Sequence, residues 1–370
     1  MKKNYKLQKK GTLQPIQAAM GYHFLIAYHT DLPTPQHPIP PSPHHPNPPI
    51  TQLTHLKFQS IIILLNRRCG VGCASCNVDA RSGNKNQLSS QWLASFFTKV
   101  EDLKFSGYIL WTGGEPFLSF DALRTGIAIA SQKGYHSEVL TSAGWYLSQP
   151  GWLENLPVKE NISLRISLDA EHQEKVPLSV VIALIRRAGE LGMEINFTLR
   201  EIPGQQEPVN RSIEEIKRQL PEFYLHHCRR SRWLHYIPHI PVSPGGYPAH
   251  SNCIDLPGTR KYKEPCRMAF RDLVIGEDGL VYPCCGFFGF SFHRHLAVGD
   301  PMKESWESLF SRVFNHPLFR LLKEKGPYGI CRELRLEPEK WDWPPFQSPC
   351  HLCLALFKQK GEQVLKHFFL

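Results

Sequence analysis

No uninterrupted apolar run in this chain approaches the about 18–20 residues needed to cross a bilayer, and the stretch 18–28 is broken by Tyr22 and His23. A soluble protein without membrane contact is expected. A convincing secretory signal is also missing, so the eleven cysteines are expected in a reducing, cytoplasmic setting where disulfides rarely persist. Their clustering at short spacings then points to metal. Charge is scarce too, at 21% of residues, and acidic residues are nearly absent from residues 1–57. There Lys2, Lys3, Lys6, Lys9, Lys10 and Lys57 face Asp31 alone, which puts +5 of the net charge of +10 in the tail. The remainder is spread too thinly for a nucleic-acid footprint, which argues against that partner.

Between residues 32 and 50 there are nine prolines together with His37, His44 and His45. Proline removes backbone donors and favours extended conformations, so residues 1–57 read as a basic, Pro/His-rich disordered arm. From Phe58 the pattern changes to strands alternating with helices. Residues 61–65 form a continuous apolar run of the kind found in strands buried on both faces. A helix with Leu93, Phe97 and Val100 on one face follows, then a strand over 108–112. The next helix carries Leu123, Ile127 and Ala130 and stops near Gly134, a left-handed cap. Further strands are expected near 138–141, 162–168, 194–200 and 233–240, with a helix placing Val180, Leu184, Ala188 and Leu191 on one face before Gly192. Six such units predict an α/β fold, a parallel sheet curved as a partial (β/α)6 TIM-like barrel with its chemistry at the carboxyl ends of the strands.

Two motifs sit at such ends. Cys69, Cys73 and Cys76 are spaced Cys-x3-Cys-x2-Cys directly after the first strand. Thiolates are the soft ligands that iron-sulfur clusters need, and three of them serving four irons leave one iron open to another ligand. Gly70 and Gly72 let the loop wrap closely. A structural zinc loop would need a fourth cysteine or histidine nearby, and His55 and His136 are not so spaced. The second strand ends in Gly113-Gly114-Glu115-Pro116, and the fourth in Ser167-Leu168-Asp169.

The cysteine spacing after a first buried strand, followed one unit later by Gly-Gly-Glu, resembles the radical S-adenosylmethionine superfamily. The resemblance implies a [4Fe-4S] cluster on Cys69, Cys73 and Cys76 whose open iron binds S-adenosylmethionine, and reductive cleavage of that molecule to a 5′-deoxyadenosyl radical that abstracts a substrate hydrogen. It implies backbone contacts from Gly113 and Gly114 to the methionine moiety, with Glu115 on its ammonium. It also implies a ribose contact from Ser167 and apolar backbone beside the adenine at Ile237, while Arg200, closing the fifth strand, reads either as a partner for the carboxylate or as a barrel-rim arginine. Ser75 departs from the pattern, which usually places an aromatic residue before the last cysteine. An external electron donor such as a flavodoxin or ferredoxin is implied as well.

Past Pro244-Gly245-Gly246, cysteines return at 266, 284, 350 and 353. Residues 273–284 read as two short strands joined by an Asp-Gly turn, a hairpin presenting Cys284 at its end. This arrangement resembles the SPASM and twitch auxiliary-cluster domains and implies one auxiliary [4Fe-4S] cluster on Cys266, Cys284, Cys350 and Cys353, for which a four-cysteine zinc site is the alternative. Cys253, Cys285 and Cys331 are possible substitutes, each also readable as a buried thiol, and Cys228 has no motif context. The expected domains are the arm 1–57, the barrel 58–245, an auxiliary domain 246–356 and a tail 357–370. The resemblance favours oxidative modification of a peptide or protein, with a small metabolite as the alternative substrate. A different class, a zinc-stabilised RNA-binding or scaffold protein, would draw on the basic arm and Arg229-Arg230-Arg232 but leaves Gly-Gly-Glu unexplained. No residue is placed well enough to be named a catalytic acid or base.

Overall fold

The computed structural model describes residues 58–73, 76, 78, 80, 85–103, 105–201, 206–221, 234–238, 261–287, 296–341, 346 and 349–369. The Pro/His-rich arm, Ser75, Cys228, Cys253 and the Arg229–Arg232 run lie outside them.

Eight strands form one sheet in the order β6-β5-β4-β3-β2-β1-β7-β8. They are β1 (Ser60–Leu64), β2 (Tyr108–Thr112), β3 (Ser137–Thr141), β4 (Ile162–Ser167), β5 (Glu194–Glu201), β6 (Leu234–Pro238), β7 (Leu273–Ile275) and β8 (Val281–Tyr282). Every pairing from β6 through β1 to β7 is parallel, and only β7 with β8 is antiparallel. The helices are α1 (Ser90–Val100), α2 (Phe120–Gln132), α3 (Ala170–Gln173), α4 (Leu178–Glu190), α5 (Gln206–Gln219), α6 (Trp306–Asn315), α7 (Pro317–Glu333) and α8 (Pro349–Phe369). The expected α/β barrel topology is therefore present. One crossover departs from the repeat: β3 and β4 are joined by short 3-10 turns at Gly144–Leu147, Pro150–Trp152 and Lys159–Asn161. Gly144, Pro150, Gly151 and Pro157 deny that segment a continuous helix.

Each sheet face has its own core. Ile61, Ile63, Ile109, Trp111, Val139, Leu164, Ile166, Ile195 and Phe197 pack with Leu93, Phe97, Leu123 and Leu184 of the helices. Ile62, Leu64, Leu110, Val274 and Tyr282 form a separate cluster on the other face. The all-buried run of β1 is thus covered on both sides, as its lack of alternation requires. Two helices stop where the glycines predict. Gly134 (φ 79°) and Gly192 (φ 80°) are left-handed. Beyond them Tyr135 N–H donates to Ala130 O at 2.9 Å and Met193 N–H to Ala188 O at 3.0 Å, a Schellman closure in each case.

The expected hairpin is also present, turning at Gly279 (φ 80°). Its first strand adds to the barrel sheet beside β1, with Ile62 opposite Val274. Among the described residues, no helix is long and apolar enough to cross a membrane.

Candidate metal centre and cofactor site

The loop after β1 is fastened to the turn after β2. Asn66, fully buried, donates to Glu115 O at 3.1 Å and to Ser119 Oγ at 2.8 Å, while its Oδ1 accepts from Arg68 N–H at 2.9 Å. Backbone bonds complete the clasp: Gly114 N–H to Asn66 O at 2.8 Å and Glu115 N–H to Arg68 O at 2.7 Å. This explains the glycine pair. A Cβ on Gly113 would sit 2.3 Å from Asn66 O, and one on Gly114 would sit 2.2 Å from Arg68 O. Both are backbone atoms that cannot swing aside, so the close approach of the two loops requires glycine. The Gly114 amide, expected to face the methionine moiety, is engaged by the triad loop.

Glu115, expected on the ammonium of the methionine moiety, makes its hydrogen bonds within the chain. It is buried, and its carboxylate turns toward the end of β3. Oε1 accepts from Phe117 N–H at 3.3 Å and Thr141 Oγ1 at 3.0 Å, while Oε2 accepts from Ser142 N–H at 2.9 Å and Ser142 Oγ at 2.6 Å. Burial pushes the carboxyl above its ordinary range, and the bonds from Ser142, Thr141 and Phe117 oppose that push. The geometry gives Glu115 the work of joining β2 to β3 at the mouth of the barrel.

Cys69, Cys73 and Cys76 are half-buried free thiols on the fastened loop. Val71 N–H points at Cys69 Sγ (3.5 Å) and Ala80 N–H at Cys76 Sγ (3.4 Å), and Cys76 N–H bonds to Cys73 O at 3.3 Å. Gly72 is left-handed (φ 64°), whereas a Cβ on Gly70 would meet open space, so only the first of these glycines is demanded by the turn. Burial pushes the Cys69 thiol up, and the Val71 amide pulls it back. Three soft donors on one loop, with amides aimed at two of the sulfurs, suit a thiolate-bound metal cluster, whose charge displaces the thiol protons.

The second set of thiols is assembled from separate elements. Cys266 precedes β7, Cys284 follows β8, and Cys350 and Cys353 lie in the first turns of α8. Burial raises Cys266, against amides of Met268 and Ala269. Burial raises Cys353, with charges on Cys266 and Cys350 adding to it, and burial pushes Cys350 up to about 12 with Cys266 and Cys285 adding to it. The four expected residues are thus electrostatic neighbours. Cys285 joins them: it is hydrogen-bonded to Cys284, and the pair cannot both ionise easily, so Cys284 is raised and Cys285 lowered. Cys331 is fully buried in the helical core, its thiol raised to about 12 by that burial. Among the described residues, no three His, Cys, Asp or Glu side chains converge as one metal ion requires. A four-iron cluster instead binds each thiolate to a different iron. The two regions are linked by Arg67, at the root of the triad loop, whose Nε lies 3.4 Å from Glu277 Oε1 in the hairpin turn, both side chains being buried.

The other expected contacts are spread along the strand ends. Ser167 closes β4, half-buried, opposite Thr198. Asp169, two residues further on, caps α3, accepting from His172 N–H at 3.1 Å. Arg200 and Ile237 are register partners in β5 and β6, and their side chains lie outside the described residues. On the sheet face away from the helical core, Glu138 pairs with Arg165 and accepts from Asn196 Nδ2 at 3.1 Å. Arg165 Nε, Asn196 Oδ1 and Thr198 Oγ1 are buried there without hydrogen-bond partners. Sequence reading missed Asn66, Thr141, Ser142 and His172. A polar pair at the end of β3, like the one noted at the end of β4, was the available signal for Thr141 and Ser142.

A mostly parallel α/β partial barrel with a three-thiol loop at the carboxyl end of its first strand defines the class of protein. Its particular likenesses include three proteins. YydG of Bacillus subtilis (strain 168), a candidate peptide biosynthesis protein, is 20% identical over 305 residues, spanning 81% of this chain and 92% of YydG. Streptococcus suis SuiB, solved with its precursor peptide SuiA, shares the fold with a TM-score of 0.51 at 14% identity, over 75% of this chain and 70% of SuiB. The structure of anSMEcpe with AdoMet and the Cp18Cys peptide does so with a TM-score of 0.50 at 15% identity, over 83% of this chain and 98% of that one. No family model matches the chain.

Proposed function

We propose that this chain is a radical S-adenosylmethionine enzyme that modifies a peptide. The observation that carries the reading is the clasp of the cysteine loop onto the Gly-Gly-Glu turn, which seats three half-open thiols at the mouth of the barrel. When bound, a [4Fe-4S] cluster and S-adenosylmethionine, supplied with one electron by a donor such as a flavodoxin or ferredoxin, provide a 5′-deoxyadenosyl radical that abstracts a substrate hydrogen.

Within that chemistry the chain's own residues bind and orient. Cys69, Cys73 and Cys76 hold the cluster. Glu115 fixes the turn through Thr141 and Ser142, so the backbone of Gly113 and Gly114 forms a rigid floor for the methionine end. Ser167 faces the ribose, and Arg200 and Ile237 border it from β5 and β6. Arg165, Asn196 and Thr198 offer unsatisfied polar atoms on the concave face, suited to a substrate with amide groups. Cys266, Cys284, Cys350 and Cys353, on residues 246–356, would hold an auxiliary four-iron cluster, which when bound would supply an electron acceptor or a ligand for the substrate. A peptide substrate is favoured because SuiB and anSMEcpe were solved with peptides and YydG is assigned to peptide biosynthesis. Nine described free cysteines fit a reducing compartment, the cytoplasm.

Anaerobic reconstitution tests the reading. About eight irons per chain are expected for two four-iron clusters, along with 5′-deoxyadenosine formation on reduction with S-adenosylmethionine, lost in Cys73→Ala. A colourless protein carrying zinc would overturn it.

A further inference from the structure

His172 stands between a thiol and a carboxylate. Its Nε2 lies 3.5 Å from Cys73 Sγ, and its Nδ1 lies 2.9 Å from Asp169 Oδ1. The same Asp169 oxygen accepts from the His172 backbone N–H at 3.1 Å, and Asp169 itself is buried. One carboxylate therefore holds both the ring and the peptide unit that carries it. Capping explains the backbone bond, since Asp169 would cap α3 with any residue at 172. It does not explain a ring directed across the barrel mouth at a cysteine ninety-nine residues earlier in the chain.

The triad's sulfurs are approached by groups of two kinds. At Cys69 and Cys76 they are amides of the cysteines' own loop, Val71 N–H and Ala80 N–H. Cys73 is approached in addition by a side chain from α3, beyond the end of β4. Asp169 holds Nδ1, which leaves Nε2 as the ring nitrogen presented to the sulfur, and a hydrogen bond to an ionised acceptor is of the stronger kind.

We propose that His172, oriented by Asp169, donates a hydrogen bond to the Cys73 thiolate and so sets the reduction potential of the cluster on the triad. The proposal rests on the cluster reading above and adds to it a positioning residue that no motif contains. Reduction places extra negative charge on the cluster and its sulfurs, and a donor at a sulfur stabilises the reduced form. Hydrogen bonds to sulfur and second-shell partners are among the levers that set such potentials. Removing this donor shifts the ratio of reduced to oxidised cluster about tenfold toward oxidised, 59 mV downward for one electron.

The test is an electrochemical titration of the reconstituted full chain, without peptide, following the electron paramagnetic resonance signal that changes on adding S-adenosylmethionine and thereby marks the triad cluster. His172→Leu is expected to lower the potential by the tenfold equivalent, and His172→Gln, which keeps N–H donors, to remain near the wild type. Asp169→Asn, which removes the charge behind the ring, is expected to fall between them. Equal potentials in all four proteins would overturn the proposal and leave the cluster reading intact. Should His172→Leu lose its iron, Asp169→Asn decides: a downward shift supports the proposal and an unchanged value overturns it. A wild type that assembles no cluster overturns both readings together.

Discussion

The two groups of cysteines are built by opposite routes. The triad lies on one loop, seated by backbone bonds to Gly114 and Glu115 and by the Asn66 side chain. The second group is gathered from a hairpin, the segment before it and the last long helix, and depends on those elements packing correctly. A local site is specified by a short stretch of sequence plus one partner turn. An assembled site is specified by the fold as a whole. The comparison predicts that damage to the clasp empties the first centre and spares the second, whereas damage to the packing of the hairpin reaches both.

Breaking the link between the regions should have the largest effect. Glu277→Ala leaves the Arg67 guanidinium buried without its carboxylate, a change that costs about 3–5 kcal/mol, to be read as a lower denaturant midpoint of the full chain. Gly114→Ala comes next. It drives a methyl into Arg68 O, and overpacking of this kind costs about 1–3 kcal/mol, more when backbone must move. Reconstitution should then yield about four irons instead of about eight, and retention of all the iron would mean that the clasp is not what seats the triad.

Glu115→Gln sharpens the same point. Oε1 faces Phe117 N–H and Oε2 faces Ser142 N–H, so whichever position becomes the amide nitrogen opposes a backbone donor that cannot turn away. A loss of about 1–3 kcal/mol is expected. The pH dependence follows in sign. Glu115 is raised above its ordinary 4.5 in the folded chain, so the folded state holds the proton more tightly than the unfolded one. Its contribution to stability is full below pH 4.5 and is lost as pH rises through the raised value. The wild type should show that slope in urea titrations, and Glu115→Gln should lack it.

The smallest effect concerns reactivity. In apo protein at pH 8, Cys331, fully buried with its thiol near 12, should resist iodoacetamide while the half-buried triad is alkylated, as read by peptide mass spectrometry.

Much of this was legible before the structure. The continuous run of β1, the two glycine caps, the Asp-Gly hairpin and both cysteine groups follow from period, spacing and turn chemistry, which are local. Glu115 and the glycine pair were recognised as belonging to the site, but the partners that hold them, Asn66, Arg68, Thr141 and Ser142, carried no local signal, because they come together only when three strand ends converge. His172 was invisible for the same reason: its position beside Cys73 depends on β4 lying near β1 around the curve of the sheet. The helix-free crossover after β3 was signalled by Gly144, Pro150, Gly151 and Pro157, a run that no β/α repeat would tolerate.

The account stands or falls on what the triad does when loaded. The direct measurement is 5′-deoxyadenosine released from S-adenosylmethionine by the anaerobically reconstituted, reduced protein, compared with Cys73→Ala. Formation in the wild type and its loss in the variant are predicted. Equal yields in the two, or none from an iron-loaded wild type, would contradict the assignment.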